Sequence, residues 1–414
     1  MLSTFLISFR SLACLVLLLP AFLAGTGCGR NLVKQTEAEP RSTANAPVSP
    51  TSMTTWLGTS ERNFYGSGPW PDRPLEVIWE FETKLTSGRL HKEGWGGSSW
   101  PGQPSVSGER VYFGSADGYL YCLNTRNGSL IWSFKTADSL KVTPTIAGNR
   151  VIASGLDHYV YCLDANNGSL IWKYKTGFEV DSSPAIINGR VYFGGEDGFF
   201  YCLSLEDGAV VYKTGRLGSM EGSFSVVAGR IYIGTEQGDL YCLELSTGAI
   251  IWKSSIGADS DSTPAVANGL VYTAAENGYV YCFKQADGEL VWKFKAEGGL
   301  SRIYKERSGF WASPVVSGGR VYIGSNNGQM YCLSSDNGEV IWQHQVRAPI
   351  WATSPVVDGR VVFGDKAGWM YMLSTDDGRR MWELKIGENI NATPTILGGR
   401  IYIGAFNGKL FCLG

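Results

Sequence analysis

One short triplet recurs eight times along the chain and restricts what it can fold into more than any other feature. It falls at Tyr121-Cys122-Leu123, Tyr161-Cys162-Leu163, Tyr201-Cys202-Leu203 and Tyr241-Cys242-Leu243. It continues at Tyr281-Cys282-Phe283, Tyr331-Cys332-Leu333, Tyr371-Met372-Leu373 and Phe411-Cys412-Leu413. The spacing is 40 residues throughout, except for 50 between Cys282 and Cys332. Around each triplet the sequence predicts four short strands. In the second copy these are 143–147, 150–154, 159–163 and 170–174, parted by turns such as Ala147-Gly148-Asn149 and Asn166-Asn167-Gly168. Four strands per period of about 40 residues describe a propeller blade. A solenoid would need polar caps, and both ends here carry ordinary repeat strands.

The last copy ends at Gly414 without its outermost strand. The missing strand stands at the other end, where Leu75-Glu76-Val77-Ile78-Trp79-Glu80-Phe81 matches Leu170-Ile171-Trp172-Lys173-Tyr174. The expected fold is therefore all-β: an eight-bladed propeller of four-stranded antiparallel blades over 71–414, closed by its N-terminal strand. Closure would remove the open edges that invite aggregation.

Each outer strand carries an aromatic, in seven of the eight four residues after a turn glycine, as in Gly168 to Trp172 and Gly338 to Trp342. Tyr212 replaces tryptophan in one blade, and Leu75 stands where the glycine would precede Trp79. Leu163-Asp164-Ala165-Asn166-Asn167-Gly168-Ser169-Leu170-Ile171-Trp172 resembles the tryptophan-docking repeat of pyrroloquinoline quinone (PQQ) propellers, roughly Asp-x-x-x-Gly-x-x-x-Trp. That resemblance covers about residues 71–414 and speaks for fold rather than chemistry.

Before the repeats, Arg10 leads into an uncharged apolar run of signal-peptide length, ending in Gly25-Thr26-Gly27-Cys28. It resembles a bacterial lipoprotein signal with Cys28 as the lipidated residue, although Gly25 stands where leucine is usual. An ordinary secretory signal is the alternative. Residues 29–70 include a Pro-, Ser- and Thr-rich stretch with little apolar surface, which predicts a flexible tether. With 36 Lys+Arg against 38 Asp+Glu there is no basic stripe for a nucleic acid. The expectation is a monomeric propeller in the cell envelope, anchored to a membrane through Cys28.

Seven of the nine cysteines occupy one equivalent position per blade. Blades pack roughly 10 Å apart, too far for disulfides between equivalent positions, so structural thiols are expected. His91, His158 and His344 are scattered and form no metal motif. Function in such a scaffold falls to loops and the channel mouth. Two connections on one face are long: 83–102, with Trp95 and Trp100, and 296–311, with Arg302, Lys305 and Trp311. Trp351 belongs to that face, and these side chains are the candidate partner-binding residues. The residue three places before each inner-strand proline should point at the channel: Lys141, Asp181, Glu221, Asp261, Trp311, Ala352 and Asn391. Asp181, Glu221 and Asp261 come from adjacent blades, with Glu179 and Asp259 close by. They read either as solvated loop carboxylates or as a metal or basic-partner site.

Signal, tether and propeller together resemble the BamB family of outer-membrane assembly lipoproteins, which implies a protein-interaction scaffold with an envelope protein as partner. The alternatives are a PQQ- and calcium-dependent quinoprotein dehydrogenase and a surface ligand-binding propeller. For the enzyme, Asp181, Glu221, Asp261, Asn391, Trp311 and Trp351 are suitable residue types. Against it, the chain lacks the adjacent cysteine pair of many such enzymes, and no other catalytic arrangement stands out.

Overall fold

The computed structural model describes residues 52–84, 102–296 and 309–414. Its strands form eight antiparallel sheets, one per repeat. In the second repeat they are Thr145–Ala147, Arg150–Ser154, Tyr159–Asp164 and Leu170–Lys175, running from the channel to the rim. The central strand of that blade is buried on both faces, because each blade is covered by its two neighbours. The outer strand buries only Trp172 fully. The core accordingly lies between blades: Tyr112, Cys122 and Trp132 of one pack with Ile146, Val151 and Tyr161 of the next.

Across each blade the small residue of the triplet faces the large one of the outer strand, Cys162 opposite Trp172 and Met372 opposite Trp382. The seven cysteines of the described residues are free and buried. Burial pushes the Cys412 thiol up to about 12, so these sulfurs are packing atoms rather than nucleophiles.

Blades are also pinned by hydrogen bonds. Trp172 Nε1 donates to the Leu205 carbonyl of the next blade at 3.0 Å, and Trp132 Nε1 to that of Ala165 at 3.1 Å. Tyr212 does the same with its hydroxyl, to Leu245 at 2.9 Å. Beneath seven of the eight rings lies a glycine of the following blade, Trp382 meeting Leu75 instead. A Cβ on Gly168 would lie 2.6 Å from the Trp132 ring, and Gly168 also has φ +73°.

The ring closes as the repeat count requires. Strand Val77–Glu82 pairs with Lys409–Leu413, setting Trp79 opposite Cys412. Trp79 then donates to Thr125 of the first blade, and Trp382 of the seventh donates to Leu75. The interlock therefore runs unbroken across the gap between the chain ends.

The expected boundary at 71 is too late. Residues 52–70 are packed into the propeller rather than forming part of a tether. Innermost strands leave an unpaired edge toward the channel, and this segment satisfies several of them. Ser52–Met53 pairs with Ser105–Ser107. The carbonyls of Thr54 and Ser60 accept from Ile146 and Val226, and Ser67 N donates to Ile396. The Tyr65 hydroxyl accepts from Val316 N at 3.2 Å. Arg62 is buried, donating to the carbonyls of Phe224 and Trp56 at 2.9 and 2.7 Å.

Candidate functional site

A belt of inter-blade hydrogen bonds positions the channel mouth. Thr143 N donates to Ser183 Oγ, Ser183 N to Ser223 Oγ, Thr263 N to Ser313 Oγ and Ser313 N to Thr353 Oγ1, at 2.9–3.2 Å. Thr353 N continues to Thr393 Oγ1 at 3.2 Å. The residue two places before each belt hydroxyl then lines a cup of about 360 Å³. Those residues are Lys141, Asp181, Glu221, Asp261, Trp311, Trp351 and Asn391. The expected Ala352 is corrected to Trp351: Pro355 stands one place later than its counterparts, and Ser354 takes the usual proline position. Trp56 supplies the floor, with its Nε1 donating to Thr263 Oγ1 at 3.2 Å.

The three adjacent acids do not act as one group. Lys141 lies 2.5 Å from Asp181 and 3.5 Å from Glu221. Burial works against the charge on Lys141, but Asp181 and Glu221 outweigh it and hold the amine protonated. The Asp181 side chain is only 3% exposed, which excludes a solvated loop carboxylate at that position. Asp261 instead joins Asp259 and Glu276, one oxygen of each lying within 4.8 Å of the others. Burial, then repulsion from Glu221, Asp259 and Glu276, raises the Asp261 carboxyl well above its usual range. Burial, then repulsion from Glu276, pushes Asp259 up to about 6 against a hydrogen bond with Asp261 that lowers it.

Glu276 was not singled out by the repeat reading. Its signal is a second variable position, five residues before each triplet tyrosine, which reads Glu196, Glu236 and Glu276 in successive blades. Glu276 N donates to Asp259 O at 3.0 Å, seating the turn against the acidic connection. Other acids on these turns are structural: Asp117, Asp157 and Asp197 accept from the hydroxyls of Tyr121, Tyr161 and Tyr201 at 2.5–2.6 Å.

The remaining wall is aromatic. Trp311 and Trp351 lie with ring centroids 4.0 Å apart at 39°. Trp311 Nε1 donates to Glu276 Oε1 at 2.9 Å, joining this wall to the carboxylate trio. Lys366 Nζ sits 3.4 Å from the Trp351 ring centre. Trp95, Trp100, Arg302, Lys305 and Cys28 lie outside the described residues.

No curated protein sequence matches the chain. Among solved structures, BamB from Moraxella catarrhalis is 18% identical, covering 82% of this chain and 98% of its own, with a TM-score of 0.63. A europium-containing methanol dehydrogenase is 15% identical over 88% of this chain and 98% of its own, at 0.71. The quinohemoprotein alcohol dehydrogenase from Comamonas testosteroni is 13% identical over 89% and 81%, at 0.73. At such identities the likeness is one of fold. A family profile described as outer membrane protein assembly factor BamB matches residues 76–215, 154–256 and 236–414. With repeats matched from blade to blade across the propeller, the chain belongs to this PQQ-like repeat family, that of the outer membrane protein assembly factor BamB.

Proposed function

We propose that this chain is a non-enzymatic binding propeller of the cell envelope, anchored through Cys28 and presenting its long-loop face to a protein partner, in the manner of a BamB-like assembly scaffold. The observation that carries the reading is the stoppered channel. Residues 52–70 bond along the inner strands and Trp56 lines the cup, so the channel is closed on the side of that segment. Family membership supports an envelope location and a protein partner. No helix of the described residues is long and apolar enough to cross a membrane.

The dehydrogenase reading has one observation in its favour, the Asp259, Asp261 and Glu276 trio, which could hold a calcium ion. Three carboxylates carry six oxygens, and with bidentate binding or added waters they meet the six to eight that calcium takes. The quinone does not fit the lining. It carries three carboxylates of its own, and among the described residues the cup presents Asp181, Glu221, Asp259, Asp261 and Glu276 against Lys141. A planar ring sandwiched between Trp311 and Trp351 would need roughly 7 Å, twice a van der Waals contact, and the ring centroids are 4.0 Å apart.

Photo-crosslinking residues at positions 95 and 302, compared with position 149 on the opposite face, test the scaffold. An envelope protein captured from 95 and 302 but not from 149 is the expected result. Equal capture from both faces counts against it. Stoichiometric uptake of PQQ with calcium, read by absorption, would restore the enzyme.

A further inference from the structure

We propose that the cup binds primary alkylammonium groups, the charged head held by Asp259, Asp261 and Glu276 and the carbon stem lying along the Trp311–Trp351 wall. This goes beyond the scaffold reading and does not depend on a protein partner.

The head group follows from donor and acceptor counting. An ammonium has three N–H donors and no acceptor. The trio offers three oxygens spaced within 4.8 Å. Such a triangle places its centre at most about 2.8 Å from each corner, so an ammonium nitrogen on its axis reaches all three at an ordinary N–H···O length. Oδ1 of both Asp259 and Asp261 is buried with no donor from outside the acidic trio, the two carboxyls bonding only each other. Buried acceptors in that state cost free energy until a donor arrives.

A separate observation lies outside the acidic cluster. Asn391, three blades further round, is 4% exposed, lines the same cup and has an unpartnered Oδ1. Asp181 Oδ1 is in the same condition. These four oxygens come from several blades and receive no donor from outside the acidic groups, so the complementary ligand is rich in donors. Its charge follows from the lining, which holds five carboxylates and, among the described residues, one cation, Lys141.

The size and the aromatic wall select an organic cation over a bare ion. About 360 Å³ is far more than one metal ion fills. The Trp311–Glu276 hydrogen bond sets indole surface directly beside the trio, and indole favours an ammonium stem both by apolar contact and by cation–π attraction. Trp56 closes the base, so the ligand enters head first with its stem against the rings.

The ammonium could come from a free amine or from a lysine side chain. Calorimetry on the full chain at low ionic strength, with 1,5-diaminopentane, Nα-acetyl-lysine amide and calcium chloride as separate probes, tests both. Saturable binding of at least one amine is expected, weakened about tenfold or more by Asp261→Asn, because a charge-assisted hydrogen bond is lost. Glu276→Gln should weaken it similarly. Binding of the diamine alone identifies a free amine as the source; binding of the lysine derivative as well identifies a side chain. Both variants should melt like the parent, which separates a lost site from a lost fold. Calcium binding without amine binding overturns the proposal. So does amine binding unchanged in the Asp261→Asn/Glu276→Gln double variant. Neither result bears on the crosslinking test, so the two readings fail independently.

Discussion

At the scale of single residues, the repeat is held by a contact that no blade makes with itself. Each outer aromatic donates to a carbonyl of the following blade, and all but Trp382 lie over a glycine of that blade. Two glycines of one repeat separate the components of this contact. Gly148 has φ +58° with nothing within 4 Å of a built Cβ, whereas Gly168 has φ +73° with the Trp132 ring at 2.6 Å. Alanine at 148 therefore meets only the backbone cost of a left-handed residue, about 1–2 kcal/mol. Alanine at 168 meets that cost and also displaces an indole from a packed core, about 1–3 kcal/mol more. Urea denaturation of Gly148→Ala and Gly168→Ala should show the second to be clearly less stable. Equal losses would mean that the docking contact contributes nothing.

At the scale of elements, the segment 52–70 is the part of the chain whose role changes most once its surroundings are known. Its composition is polar enough to read as tether, yet Trp56, Leu57, Arg62 and Tyr65 are buried. What orders it is the unpaired inner edges of several blades, which a linear reading does not show. Deletion of the chain as far as residue 51 should leave melting unchanged. Deletion as far as residue 70 should lower it by roughly 5 °C or more, since losing a large buried aromatic costs about 3 kcal/mol or more. It should also open the cup from below. Identical melting of the two truncations would place the domain start at 71 after all.

At the scale of the whole molecule, the ring is closed by pairing between residues more than 300 positions apart. Trp79 is 8% exposed and packs with Tyr402, Leu410 and Cys412 on one side and Val111 and Phe113 on the other. Removing 71–82 deletes a strand from the eighth blade and breaks the interlock with the first and seventh. Such a protein should melt well below the parent or aggregate through its exposed edge. Trp79→Ala alone should cost about 3–5 kcal/mol, as large-to-small core changes do. Light scattering and calorimetry distinguish these outcomes, and parental melting of the truncated chain would refute closure by this strand.

The sequence by itself determined the blade count, the four-strand pattern, the closing strand and the burial of the cysteines. Each of these follows from a period, and a period is visible in one dimension because every copy solves the same packing problem. Lys141, Asp181, Glu221, Asp261 and Asn391 were placed at the channel by that same register, and the register failed only where Pro355 is displaced by one residue. Which of these side chains act together was decided by the tertiary structure. Lys141 reaches across to Asp181 and Glu221, while Asp261 turns to Asp259 and to Glu276 from a different turn. Partnership among charges depends on distances of a few ångströms and on which neighbours exclude water. The floor made by Trp56 has the same origin: a non-repeating segment finds its place only after the blades have created the channel it fills.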